Sequence, residues 1–158
     1  MSVIETKRYT LEELLAEKGY IVYTNVGCSM MPLLRERRDI IEIRPAEFPI
    51  RKYQVALYKR GDQYILHRCI SSGPSGYVFA GDHNTFKERD VTEAMILGVM
   101  TRVIRGGKDI RMDDPRYRIY AHLWVDFFPV RVMILRAKSL LRKLLKPHRP
   151  ASSSGRAS

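Results

Sequence analysis

Residues 54–70 read QVALYKRGDQYILHRCI. Two runs rich in β-branched and aromatic side chains, 54–58 and 63–70, flank the polar stretch Lys59-Arg60-Gly61-Asp62. Glycine tolerates the positive backbone angles of a tight reversal, so the segment predicts a β-hairpin with Gly61 in its turn. The same grain extends outward. Upstream, Asp39-Ile40-Ile41-Glu42-Ile43 packs three isoleucines into five positions. Downstream come the turn Ser71-Ser72-Gly73-Pro74-Ser75-Gly76, the short run Tyr77-Val78-Phe79-Ala80, an apolar stretch over 95–104, and Gly106-Gly107-Lys108 turning into Asp109-Ile110-Arg111-Met112. Many short strands at close spacing predict a mainly β fold, a rolled-up antiparallel sheet.

Helices are expected at both ends. Thr10 and Glu13 have capping-box spacing, Leu11, Leu14 and Leu15 recur helically, and Gly19 is a natural stop. After Pro115 the period changes to steps of four and three through Leu123, Phe127, Val130, Ile134, Ala137, Leu141 and Leu144. A helix follows, broken or kinked near its middle by Pro129 and ended by Pro147. The chain divides into an N-terminal helix (1–19), a β domain (20–114), a basic amphipathic helical extension (115–147) and a disordered tail (148–158).

Charge sharpens that division. Of 28 Lys/Arg and 17 Asp/Glu, eight basic residues and no acidic one follow Asp126, so the first 126 residues are nearly neutral and the remainder is strongly basic. Such asymmetry points to an anionic surface as partner. Trp124, Phe127 and Phe128 beside the apolar stripe suit a lipid interface, the alternative being that the stripe packs on the β core. Nucleic acid is the weaker candidate. No uncharged apolar run is long enough to span a bilayer and no export signal opens the chain, so it reads as cytoplasmic or peripheral on a membrane. Cys28 and Cys69 make no disulfide framework, no Cys/His cluster has metal-ligand spacing, and no cofactor is implied.

Two segments carry chemistry. Gly27-Cys28-Ser29-Met30-Met31-Pro32 presents a hydroxyl in a loop just after a strand, with Gly27 allowing close backbone approach and Pro32 fixing the exit. His67, on an apolar strand, offers the base whose ordinary pKa suits serine activation. By alternation it shares a face with Ile65 and Cys69. Gly81-Asp82-His83-Asn84 reads as a turn in which Asp82 stands behind the histidine as a third member, with Glu88 and Asp90 as weaker candidates.

These segments, with Ile96-Leu97-Gly98-Val99, occur in an order that resembles the type I signal peptidase and LexA-like serine peptidase superfamily, over about residues 20–105. The resemblance implies a coiled antiparallel β-fold and a serine endopeptidase that processes a polypeptide, a precursor or leader peptide. It implies Ser29 as nucleophile and a place in the branch that uses histidine as base, with His67 in that role. It implies Asp82 as the first acid and Glu88 as the nearest equivalent of a second. It implies that the Ser29 amide contributes to an oxyanion hole, within the loop formed by Gly27, Cys28, Met30 and Pro32. The other reading is a non-catalytic β-module of the same fold that binds a peptide or a membrane.

Overall fold

The computed structural model describes residues 9–144. It is a mixed α/β fold: an open eight-stranded sheet flanked by one helix at its N-terminal end and two at its C-terminal end. The strands are β1 (Ile21–Thr24), β2 (Ile40–Pro45), β3 (Val55–Arg60), β4 (Gln63–Gly73), β5 (Gly76–Ala80), β6 (Glu88–Val91), β7 (Ile96–Arg105) and β8 (Lys108–Arg111). They lie in the order β1-β2-β7-β3-β4-β5-β6, with β8 also on β7, and every pairing among them is antiparallel.

Residues 54–70 form the expected hairpin. Arg60 opposes Gln63, Gly61 and Asp62 make the reversal, and Gly61 has φ of 58°. This register puts Ala56 opposite His67 and Val55 opposite Arg68. The two faces of β3 are buried in different cores. Val55 and Leu57 join Leu15, Met30, Leu34, Ile41, Ile43 and Met100, whereas Ala56 and Tyr58 join Ile50, Cys69, Phe79 and Val91. A central strand buried on both faces reads as a continuous apolar run, as VALY does. Gly98 of β7 lies where a Cβ would strike the Arg44 carbonyl and Ile43, so the crossing of β2 and β7 requires glycine there.

Helix α1 (Leu11–Lys18) is capped as its sequence predicts. The Thr10 amide donates to Glu13 Oε2 (2.8 Å), the Glu13 amide to Thr10 Oγ1 (3.2 Å), and Gly19 closes the helix in the left-handed region. Glu12 accepts from Lys59 and Tyr64, tying α1 to the hairpin.

One feature is unanticipated, and two open readings are resolved. First, residues 88–91, which no predicted strand covers, form the edge strand β6, in which Glu88 pairs with Phe79 of β5 and Val91 with Tyr77. Second, the C-terminal helix is broken rather than kinked, giving α2 (Pro115–Asp126) and α3 (Phe128–Leu144). Pro129 has no N–H to give the Val125 carbonyl and its ring would crowd that group, so α2 ends and α3 restarts with Pro129 in its first turn. Third, of the two readings of the apolar stripe, packing on the sheet is excluded: Leu123, Phe127, Val130, Ile134 and Leu141 are all exposed. The tail over 148–158 and the stop at Pro147 lie outside the described residues.

Candidate active site

The Ser29 loop is held at its base by Asp39, a fully buried carboxylate at the foot of β2. It accepts from the Arg35 amide (2.9 Å), from Arg38 (2.8 Å) and from Arg105 (2.7 Å), while the Asn25 amide donates to its carbonyl (2.9 Å). Arg105 also reaches the Leu33 carbonyl. Burial works against the Asp39 charge, but its hydrogen bonds to Arg105, Arg38 and the Arg35 amide outweigh it and hold the carboxyl well below the usual range. Inside the loop, Met30 and Leu34 are buried in the first core, Gly27 takes φ of 95°, and Asn25 donates to the Gly27 carbonyl. Cys28 is exposed and Pro32 follows a cis peptide bond. Ser29 is left half-buried at the loop's crest. The amides of Ser29 and Met30 donate to no partner among the described residues, and neither does the Ser29 hydroxyl.

The Gly81-Asp82-His83-Asn84 turn packs directly on this loop. The His83 amide donates to the Ser29 carbonyl (2.7 Å). A Cβ on Gly81 would lie 2.6 Å from that same oxygen and 2.8 Å from the Asn84 side chain, so only glycine lets the two loops touch.

His67 projects from β4 into a small polar network. Its Nδ1 lies 2.9 Å from Glu88 Oε1, the Tyr58 hydroxyl donates to Glu88 Oε2 (2.7 Å), and Arg60 stands 3.7 Å from the same oxygen. Burial pushes the His67 imidazole below its ordinary value, an effect opposed by the charge and hydrogen bond of Glu88. Burial and Glu88 together push the Tyr58 phenol well up, so it remains a neutral donor. With Nδ1 facing a carboxylate, Nε2 is the nitrogen left to act. It bonds no described residue and is not among the buried atoms lacking a partner. Ser29, His67, Glu88 and Asn84 line one cleft of about 420 Å³, whose apolar wall includes Met30, Leu57 and Leu66.

Asp82 does not stand behind His67. Its carboxylate takes a two-pronged contact from fully buried Arg68, Nε to Oδ1 at 2.8 Å and Nη2 to Oδ2 at 2.7 Å, and a third hydrogen bond from Tyr120 (2.9 Å). The guanidinium fork matches a carboxylate in a way an imidazole cannot, and His67 points from the opposite face of β4. Arg68 also donates to the Tyr53 carbonyl and the Tyr117 hydroxyl. The acid that reaches His67 is Glu88, while Asp90 is exposed at φ of 61°.

Sequence reasoning passed over Tyr58 and Asp39, and gave Arg68, the neighbour of His67 in its motif, no role. Tyr58 was within reach: once Gly61-Asp62 is the reversal, Ala56 faces His67 and Tyr58 lies two residues along on the same face. Asp39 carried a weaker signal, an acid that closes the arginine-rich segment Arg35-Glu36-Arg37-Arg38 just before a buried strand.

A larger cavity of about 630 Å³ lies between α2 and the sheet, lined by Arg51, Tyr53, Thr101, Arg111, Tyr117 and Arg118, and of the motif residues it holds Val99 but not Ser29, His67, Asp82 or Glu88. No group of three or more His, Cys, Asp or Glu side chains among the described residues is placed to hold a metal ion. No family model, no curated protein and no solved structure matches the chain.

Proposed function

We propose that this chain is a serine endopeptidase of signal-peptidase-like architecture that processes a polypeptide. The observation that carries the reading is the shared cleft: Ser29 and His67 both line it, and Glu88 holds the imidazole through Nδ1. The four motifs in order along the chain, all on one antiparallel sheet or its loops, add to it.

In this reading the Ser29 hydroxyl attacks the peptide carbonyl and passes its proton to His67 Nε2. The imidazolium is stabilised by Glu88, the carbonyl oxygen becomes the oxyanion, and the unengaged amides of Ser29 and Met30 are its donors. His67 then returns the proton to the leaving amine, and the C–N bond breaks. Water repeats the sequence on the acyl-serine. Tyr58 fixes Glu88 from the far side, and the Gly81 turn fixes the Ser29 carbonyl.

The test is labelling of the full chain with a fluorophosphonate probe, followed by peptide mapping, beside digestion of a peptide library. Modification is expected on Ser29 and is lost, together with cleavage, in Ser29→Ala with an unchanged circular dichroism spectrum. Cleavage that persists in Ser29→Ala, or modification confined to Cys28, removes Ser29 as nucleophile.

A further inference from the structure

The outer face of the C-terminal helices is the most unusual surface of the molecule. Ile119, Leu123, Phe127, Val130, Met133, Ile134, Leu140 and Leu141 are each 46–63% exposed. On α3, residues 130, 133, 134, 137, 140 and 141 follow the three-and-four spacing of a single helical face. Every residue from Arg136 to Arg142 is exposed, so the second half of α3 stands clear of the body. Isolated exposed leucines need no explanation, but a contiguous run of this length marks a contact surface.

Charge indicates what covers it. Arg136, Lys138 and Arg142 border the stripe, and no acidic residue occurs on α3. An apolar face edged by cations matches the boundary between anionic headgroups and acyl chains. A second copy would bring cations against cations. Nucleic acid would engage the cations and leave the stripe in water. No helix among the described residues is long and apolar enough to cross a membrane, so α3 would lie along the surface.

We propose that the outer face of α2 and α3 docks the protein onto an anionic bilayer surface, with α3 in the headgroup plane. The inner face of the same helices grips the candidate site. Arg131, buried between Trp124 and Phe128 (5.7 and 4.5 Å from their ring centroids), donates to the Asp82 carbonyl (2.7 Å). Trp124 donates to that same oxygen (2.8 Å). The turn they hold is the one whose His83 amide holds the Ser29 carbonyl. Docking therefore sets the cleft at a defined position over the membrane. Resting on the peptidase reading, its substrates are peptides presented at that surface.

The experiment is flotation of the full chain with vesicles of phosphatidylcholine alone and of equal parts phosphatidylcholine and phosphatidylglycerol, over a salt series. Binding to the anionic vesicles is expected, weakened but not abolished by salt, because the apolar contribution is not screened. Ile134→Asp with Leu141→Asp should lower the partition coefficient at least roughly tenfold per residue. Arg136→Glu with Lys138→Glu should weaken binding to anionic vesicles about fivefold or more per charge. These positions are exposed, so circular dichroism should not change. Where the aspartates melt α3, the serine pair at the same positions is read instead.

Absence of binding to anionic vesicles, or binding unaffected by both pairs, overturns the proposal. So does a dimer in light scattering that Ile134→Asp dissolves, or exclusive binding to duplex DNA that collapses with salt. Ser29→Ala should float like the parent. A chain that takes the fluorophosphonate but does not float would reject docking alone, and one that floats without labelling would reject the peptidase alone.

Discussion

Glu88 Oε1 stands 2.9 Å from His67 Nδ1, although the two residues are 21 apart in sequence and lie on strands that are not neighbours. Strand β5 separates β4 from β6, so the contact is made across a strand by long side chains on a common face. The Tyr58 hydroxyl, 2.7 Å from the second Glu88 oxygen and 3.3 Å from Nδ1, closes the triangle. A carboxylate so placed selects the tautomer with the proton on Nδ1 and a free lone pair on Nε2.

The pH dependence follows from this geometry. Only neutral imidazole accepts the serine proton, so fluorophosphonate labelling of Ser29 should rise with pH through one ionisation. Burial holds that ionisation below the ordinary histidine value of 6.5. Glu88 raises the His67 pKa, so Glu88→Gln should move the acidic limb to lower pH while the plateau rate falls on the order of 10²-fold or more. A profile that climbs only above about pH 9 would point to a lysine base instead.

Asp82→Asn should act chiefly on stability. It leaves the fully buried Arg68 guanidinium without its counter-charge, and breaking a buried pair of this kind costs about 3–5 kcal/mol. Denaturant unfolding should show a large drop in midpoint at neutral pH. The acidic limb of labelling should move less than in Glu88→Gln. An Asp82→Asn protein of parental stability that has lost its acidic limb would return Asp82 to the role of histidine partner.

Asp39 makes the molecule sensitive to acid. Its folded-state pKa is depressed, so its stabilising contribution is complete above the unfolded value of about 3.8 and is lost as pH falls below it. The urea midpoint of the parent should therefore fall steeply on acidification through that range, and Asp39→Asn should be destabilised at pH 7 and show a shallower fall. Because Asp39 anchors the Ser29 loop, partial acid loosening should also reduce fluorophosphonate labelling of Ser29 before global unfolding. Identical acid curves for parent and variant would exclude the arginine-clamped carboxylate as the cause.

Local features were legible because their causes are local. The Thr10 capping box, the Gly61 reversal and the Gly19 stop each depend on backbone groups within a few residues. The Ser29 loop stood out for the same reason, since its glycine and proline mark it as a built turn. The break between α2 and α3 was half legible: Pro129 announces a disruption, but whether a helix kinks or restarts depends on what Trp124, Phe128 and Arg131 find to pack on.

The choice of acid could not be read in this way. Asp82 and Glu88 both follow β5 within a few residues, and both are carboxylates near a glycine turn. What separates them is the β5–β6 register, which pairs Phe79 with Glu88 and turns Glu88 toward Tyr58 and His67. The other half of the decision lies with Arg68, one residue from His67 and therefore on the opposite face of β4, where its fork claims Asp82.

From sequence alone come the strand-rich middle, the capped first helix, the Ser29 loop, the histidine and the basic, apolar-striped end. All of these depend on neighbours along the chain or on the period of a single element. Only the tertiary structure decided that the stripe faces outward, that Asp39 ties down the Ser29 loop, and that Glu88 rather than Asp82 meets the imidazole. Those depend on strand register and on which buried charge finds its partner, and both are settled by groups far apart in sequence competing for the same few hydrogen-bond positions.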